Sequence, residues 1–183
     1  MNEILNQMLE QDARLSGLIR RAPAQSGWFR LAAILAHSGD SWLWLAGLGF
    51  TWLLFTAPWR QAAALMGIGV VVLAAVVMTI KLLVRRPRPA GDWGMMYRSV
   101  DPHSFPSGHA ARAFLLVVLA WSVAPTWFAL ILTIWAPLVS MARIVTGVHY
   151  LSDVLVGSFI GLVIGWLMIL LRPLTIGIFP LLF

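Results

Sequence analysis

The chain has 183 residues, of which 60% are hydrophobic and only 11% charged, with a net charge of +6 and no cysteine. A soluble domain carries roughly 25% charged residues, so a water-covered globule is a poor fit, and disulfides and thiolate metal sites are excluded. The length fits one domain, and cations on a membrane protein point to anionic headgroups or a phosphate-bearing ligand rather than to nucleic acid.

Residues 2–21 set Ile4, Leu5, Met8, Leu9, Leu15, Leu18 and Ile19 among polar residues at near-helical spacing. That pattern predicts an amphipathic helix closed by Arg20 and Arg21, too polar to span and suited to the membrane surface. With Glu3, Glu10 and Asp12 it lacks the positive start and apolar run of a signal peptide. Pro23 to Gly27 is a break. Trp28 to His37 is a short apolar stretch ended by Ser38-Gly39-Asp40; a crossing takes about 20 residues, so an interfacial or half-inserted segment is expected.

The spans follow. Ser41 to Ala57 carries Trp42, Trp44 and Trp52 and closes at Pro58-Trp59-Arg60. Ala62 to Val84 is a long apolar run with Lys81 near its end. Residues 85–108, rich in Arg, Pro and Gly, read as a loop. His109 to Ala124, Trp127 to Val145 and Val154 to Leu171 are the remaining spans, and the tail to Phe183 is apolar but broken by Gly177 and Pro180. The prediction is all-α: a polytopic transmembrane helix bundle of about five spans, six if residues 28–38 insert fully, with an N-terminal amphipathic helix. Residues 1–183 form one membrane-embedded domain, with 1–40 interfacial and 41–173 the transmembrane core. Trp28, Trp59, Trp93 and Trp127 sit near span ends, as an aromatic belt requires. Gly157, Gly161 and Gly165, four apart on the last span, permit close helix packing within the monomer.

Alternating five spans puts the N-terminus, the 85–108 loop and the 143–153 segment on one face. Only Arg60 and Arg172 fall on the other, leaving 11 of the 13 Lys and Arg, and all seven acidic residues, on the first. The positive-inside rule accounts for Arg14, Arg20, Arg21 and Arg30 and makes this face cytoplasmic, in a bacterial inner membrane; six spans would favour an extracytoplasmic site. Lys81 and Arg143, inside or at the lip of apolar segments, call for an anionic partner.

Three segments converge on that face: Lys81 to Pro89, with Arg85, Arg86 and Arg88; Pro106-Ser107-Gly108-His109; and Arg143 to Asp153, with His149. Each is weak alone; Ser107, for instance, is an ordinary helix cap. Together they supply cations, two histidines, a carboxylate and a helix N-terminus. Phosphoryl transfer is chiefly positioning and electrostatic stabilisation. Arg88 and Arg143 can grip phosphate oxygens with planar forks and Lys81 can neutralise a third as a point charge. The backbone N–H groups at Gly108 and His109 open an anion site, to which Ser107 adds a hydroxyl. If the segment is helical, His149 and Asp153 share a face, so the carboxylate fixes the tautomer of a nucleophilic ring, and His109 serves as general acid. Metal ligation by His109, His149 and Asp153 is the competing reading, disfavoured by the adjacent cations.

These residues resemble the type 2 phosphatidic acid phosphatase superfamily, which also includes vanadium haloperoxidases and glucose-6-phosphatase. The family signature is Lys, six residues, Arg-Pro; then Pro-Ser-Gly-His; then Ser-Arg, five residues, His, three residues, Asp. Lys81 with Arg88-Pro89, residues 106–109, and Arg143 with His149 and Asp153 match in order; Ala142 stands where the family has serine. The resemblance implies a helical core with the site at the membrane boundary. It implies His149 as nucleophile forming a phosphohistidine, Asp153 orienting it, His109 as acid, and Lys81, Arg88, Ser107, Gly108 and Arg143 holding phosphate, with no metal or other cofactor.

The expected activity is hydrolysis of a lipid phosphate, with phosphatidic acid, phosphatidylglycerol phosphate or a polyprenyl (di)phosphate such as undecaprenyl pyrophosphate as candidates. A polyprenyl sugar phosphate of cell-wall precursor synthesis is the alternative. A vanadate-dependent haloperoxidase fits the spans poorly, and an inactive lipid-phosphate-binding protein fits poorly with intact His109, His149 and Asp153. The expected partners are the lipid substrate and the bilayer, with no nucleic acid. Arg85, Arg86, Arg98 and Arg112 are expected to meet headgroups or solvent, and His37, Tyr97, Asp101 and His103 carry no assigned role.

Overall fold

The structure is a computed structural model that describes residues 2–20, 27–90 and 101–183; Arg21, Trp93, Tyr97 and Arg98 lie outside them. The fold is all-helical, with no strand among the described residues beyond an isolated bridge between Pro87 and His103. Two helices precede the apolar bundle, α1 (Asn2–Ile19) and α2 (Gly27–Ser38). The bundle follows as α3 (Ser41–Leu54), α4 (Trp59–Val84), α5 (Gly108–Val123), α6 (Thr126–Val145) and α7 (Leu151–Leu170), with a short α8 (Arg172–Ile178) after it.

The five expected apolar runs each form one helix. α4, α6 and α7 are long and apolar enough to cross a bilayer, while α3 and α5 are shorter, at 14 and 16 residues. Termination follows local chemistry. α4 stops at Arg85 in the left-handed conformation (φ 51°), ahead of Pro87 and Pro89, neither of which can continue a helix. Pro137 sits inside α6, tolerable where neighbouring helices surround the freed carbonyl.

The core lies between α4, α5, α6 and α7, with Leu65, Met66, Val70, Leu73, Leu115, Leu116, Leu119 and Leu132 buried. The outer faces are equally apolar: Leu53, Leu83, Phe159, Trp166 and Leu170 are all more than half exposed. Helices hydrophobic on every side belong in lipid, and a soluble protein could not present such a continuous apolar surface.

Alternation of the bundle helices brings Asp40, Lys81, Gly108, Arg143 and Leu151 to one end. At the opposite end Trp59 packs on Trp127 and Phe128, and Arg60 lies 4.6 Å from the Trp52 ring. α1 and α2 belong to the first end. α2 packs on α6, and α1 lies against α7 and α6 with Ile4, Met8, Leu15 and Leu18 exposed on one stripe, the amphipathic surface helix its sequence predicts.

α5 and α7 make the closest pairing. A Cβ on Gly157 would lie 2.5 Å from the Ser107 carbonyl oxygen, one on Gly161 would run into the Ala111 carbonyl, and one on Gly165 would meet the Val118 side chain at 2.8 Å. The four-residue glycine spacing therefore serves packing inside the monomer. Replacing Gly161 with Ala should destabilise the protein by about 2 kcal/mol or more, because backbone must move. The same change at Gly47, which has open space around it, should stabilise by about 0.5–1 kcal/mol through helix propensity. Thermal unfolding in one detergent measures both, and equal shifts would contradict this packing.

Candidate active site

A cavity of about 390 Å³ opens at the charged end of the bundle. Lys81, Arg88, Gly108, His109, Arg143 and His149 line its polar side. Val70, Leu73, Ala74, Val77 and Met78 of α4 form an apolar wall. Six of the eight residues expected at the site thus face one cavity. The other two stand behind it. Ser107 caps α5, its Oγ accepting from the Ala110 N–H at 3.5 Å, and its own N–H donates to the Asp153 carbonyl at 2.9 Å. Asp153 is fully buried behind His149.

His149 and Asp153 meet although the condition of one helix through both is not fulfilled. α6 ends at Val145, the chain reverses through Gly147 at φ 71°, and His149 precedes α7. Asp153 occupies the third position of α7 and accepts the Tyr150 N–H at 2.8 Å. The carboxylate is therefore fixed first as a helix cap, and Oδ2 stands 3.6 Å from His149 Nδ1. With Nδ1 turned to the carboxylate, Nε2 faces Arg88, 3.4 Å from a guanidinium nitrogen. Burial, with the charges of Arg143 and Arg88, pushes the His149 imidazole down to about 3 against the opposing pull of Asp153. The ring is neutral at physiological pH, the state a nitrogen nucleophile needs.

Arg86, read from sequence as a headgroup or surface contact, is instead an internal clamp. Its guanidinium donates to Asp153 Oδ1, Ser152 Oγ and Asp12 Oδ2, each at 2.7 Å, and lies 3.9 Å from the Tyr150 ring. Asp12 also accepts from the Ser152 backbone at 3.0 Å, so α1 is tied through Arg86 to the carboxylate behind His149. Arg112 is likewise buried, donating to the Gly39 carbonyl and Ser41 Oγ. One guanidinium spanning partners distant in sequence leaves no periodic trace, so neither role could be read from spacing.

Asp101, which sequence reasoning left without a role, accepts from both Lys81 Nζ at 2.7 Å and an Arg88 guanidinium nitrogen at 2.8 Å through its Oδ2. Its backbone carbonyl accepts from Arg88 Nε at 2.7 Å, and the His103 carbonyl accepts from Lys81 at 2.7 Å. Burial works to raise the Asp101 carboxyl, but the hydrogen bond and charge of Lys81, with Arg88, hold it below the usual carboxylate range. Asp40, between α2 and α3, places Oδ1 at 2.6 Å from His109 Nε2 and Oδ2 at 3.2 Å from His37 Nδ1. Ala142 packs with Ala32 and Ala36 against α2 and does not line the cavity, so the serine it replaces would stand at a helix contact.

The sequence model of the PAP2 superfamily matches residues 62–176, which takes in all three motif segments. The chain is 36% identical over 146 residues to a decaprenylphosphoryl-5-phosphoribose phosphatase of Mycobacterium tuberculosis, covering 76% of this chain and 77% of that protein. It is 30% identical over 155 residues to the protein of the same description from Mycolicibacterium smegmatis, covering 80% and 81%. Among solved structures, the LpxE protein of Aquifex aeolicus superposes with a TM-score of 0.68 at 24% identity, over 85% of this chain and 93% of that one. A PAP2-type phosphatidylglycerolphosphate phosphatase of Bacillus subtilis superposes with a TM-score of 0.71 at 22% identity, over 89% and 85%.

Two outcomes follow from this geometry. Arg86→Ala and Arg86→Lys should each cost about 3 kcal/mol, since either leaves Asp153 buried without its fork-shaped partner; chemical denaturation in detergent measures this, and a neutral Arg86→Lys would contradict the clamp. The His149 ring, neutral above a pKa of about 3, should show unchanged ¹⁵N shifts between about pH 8 and about pH 5, a window in which an exposed imidazole titrates. Titration of His149 near pH 6.5 would overturn its assigned burial.

Proposed function

Because the chain belongs to the PAP2 superfamily, whose model spans its catalytic end, we propose that it is an integral membrane phosphatase acting on an isoprenoid-linked sugar phosphate or a similar lipid phosphate through a covalent histidine intermediate. The observation that carries this reading is a cavity with cations and two histidines on one side and the apolar α4 wall on the other. A phosphate with a lipid attached needs both surfaces. The curated mycobacterial relatives favour the isoprenoid phosphosugar within the lipid class.

In this mechanism Lys81, Arg88, Arg143 and the N–H groups opening α5 hold the phosphoryl oxygens. His149 Nε2 attacks phosphorus, forming the N–P bond as the P–O bond to the substrate breaks, and Asp153 balances the charge that develops on the ring. The departing oxygen takes a proton from His109. Water then attacks the phosphohistidine with His109 as base, the N–P bond breaks, and inorganic phosphate and free His149 result. Ser107 and Asp153 act by holding the helix starts that carry His109 and His149. The cations present supply the charge stabilisation that a metal ion would otherwise provide. The excess of Lys and Arg at the site's end supports a cytoplasm-facing site in a bacterial inner membrane.

The test is phosphate release by purified protein in detergent with chelator present, across phosphatidic acid, phosphatidylglycerol phosphate, undecaprenyl pyrophosphate and a polyprenyl phosphosugar. Chelator-resistant release, fastest on the phosphosugar and reduced at least about 10³-fold in His149→Ala, is expected. Release that chelator abolishes, or that His149→Ala retains, would overturn the mechanism. A flat panel would remove the substrate preference alone.

A further inference from the structure

We propose that Asp40, in the two-residue connection between α2 and α3, is the positioning residue for His109, making with it an acid dyad that mirrors His149 and Asp153 across the cavity. This rests on the phosphatase reading above and assigns it a group outside all three motifs.

The first argument is what Asp40 gives up. It stands at the N-cap of α3, where an aspartate ordinarily accepts a backbone N–H from the first turn, yet its side chain makes no capping hydrogen bond. Instead Oδ1 lies 2.6 Å from His109 Nε2, and Oδ2 lies 3.2 Å from His37 Nδ1. A hydrogen bond of that length between imidazole and carboxylate is charge-assisted. It assigns the Nε2 proton to the Asp40 contact and leaves Nδ1 as the nitrogen that can serve the cavity.

The second argument is charge. The guanidiniums of Arg112 and Arg143 line the same cavity as His109, and neighbouring cations disfavour a proton on an imidazole. An acid must nevertheless carry one, so the imidazolium needs an anion in contact, and Asp40 provides it. Burial opposes the Asp40 charge, but its hydrogen bonds to His109 and His37 hold the carboxyl down to about 2, so it is ionised throughout the working range.

The third argument is the effort spent on holding this short connection still. Arg112 donates to the Gly39 carbonyl and Ser41 Oγ on either side of Asp40. Trp44 donates to the Ser38 carbonyl at 3.0 Å and Trp135 to Ser38 Oγ at 2.9 Å. Gly39 packs closely on the ring: a Cβ there would lie 3.1 Å from His109 Cδ2 and 3.0 Å from the Val139 side chain. Groups from α3, α5 and α6 thus converge on residues 38–41, around one carboxylate.

In the reaction, Nδ1–H of the His109 imidazolium passes to the leaving oxygen as the P–O bond breaks. The ring becomes neutral and keeps its Nε2–H on Asp40, and water later returns a proton to Nδ1. In the first half-reaction, which kcat/KM reports, the dyad therefore matters only when the leaving group needs a proton. Asp40→Asn keeps size and capping capacity but removes the charge. Its kcat/KM should fall about 100-fold on an alkyl phosphate and less than about threefold on p-nitrophenyl phosphate, whose phenolate leaves unprotonated. Equal losses on both would mean a merely structural role and overturn the proposal. Independently, wild-type protein should show a downfield His109 Nε2–H proton resonance that vanishes in Asp40→Asn and persists in His37→Ala. Its absence from wild type would overturn the dyad whether or not the variants fold. Wild-type protein inactive on both esters, with that resonance present, would refute the phosphatase reading and leave the contact standing.

Discussion

The distance between α5 and α7 governs the rest of the molecule. With Gly157, Gly161 and Gly165 facing the Ser107 to Val118 stretch, the two helices approach until backbone meets backbone. The Ser107 N–H then reaches the Asp153 carbonyl at 2.9 Å. That single bond joins the start of one helix to the start of another. His109 lies one residue inside α5 and His149 two residues before α7, so fixing the two starts fixes both rings. Their separation is a property of helix packing and not of loop conformation, which suits a site requiring tight tolerances.

Around that frame, the charges at the cavity end are compensated locally. Lys81 and Arg88 meet Asp101, Arg86 meets Asp12 and Asp153, and His109 meets Asp40. A cation left bare at the edge of a bilayer would be expensive, and each carboxylate also sets the orientation of the group it faces. The acidic residues are few, but Asp12, Asp40, Asp101 and Asp153, from widely separated parts of the chain, all reach this end. α1 and α2 take part in this network through Asp12 and Asp40 and are not mere surface additions.

The helices and the cations that line the cavity were legible in the sequence because they rest on local signals. Apolar runs, Pro and Gly breaks, and motif residues at fixed spacing mark them directly. The glycine stripe on α7 was legible for the same reason. What escaped is what packing alone creates. Arg86 sits two residues before Arg88 in a basic run, and nothing in that run tells which points inward; only the arrival of Asp12 and Asp153 distinguishes them. Asp40 looks like an ordinary helix cap until α5 brings His109 beside it. Whether His149 and Asp153 share a helix was left conditional by the sequence; the turn at Gly147 decides it, because glycine there adopts a left-handed backbone and lets α6 and α7 fold back on each other.

Asp101 gives the cavity an unusual equilibrium. Its carboxylate is tethered to the chain and already shared by Lys81 and Arg88, so those two cations carry a built-in competitor at high effective concentration. An anion from outside does not fill an empty charge pair; it exchanges with a resident one. Its net affinity is a difference between two similar contacts, and a weak monoanion gains little from the trade. On the proposed reading a phosphate dianion would gain more, because it would bring further oxygens to Arg143 and to the start of α5. When that anion departs, the carboxylate can close over the cations again, so release proceeds without exposing them bare. Selectivity for multiply charged ligands and easy turnover would then share one cause, a single side chain that competes for the same cations as the ligand.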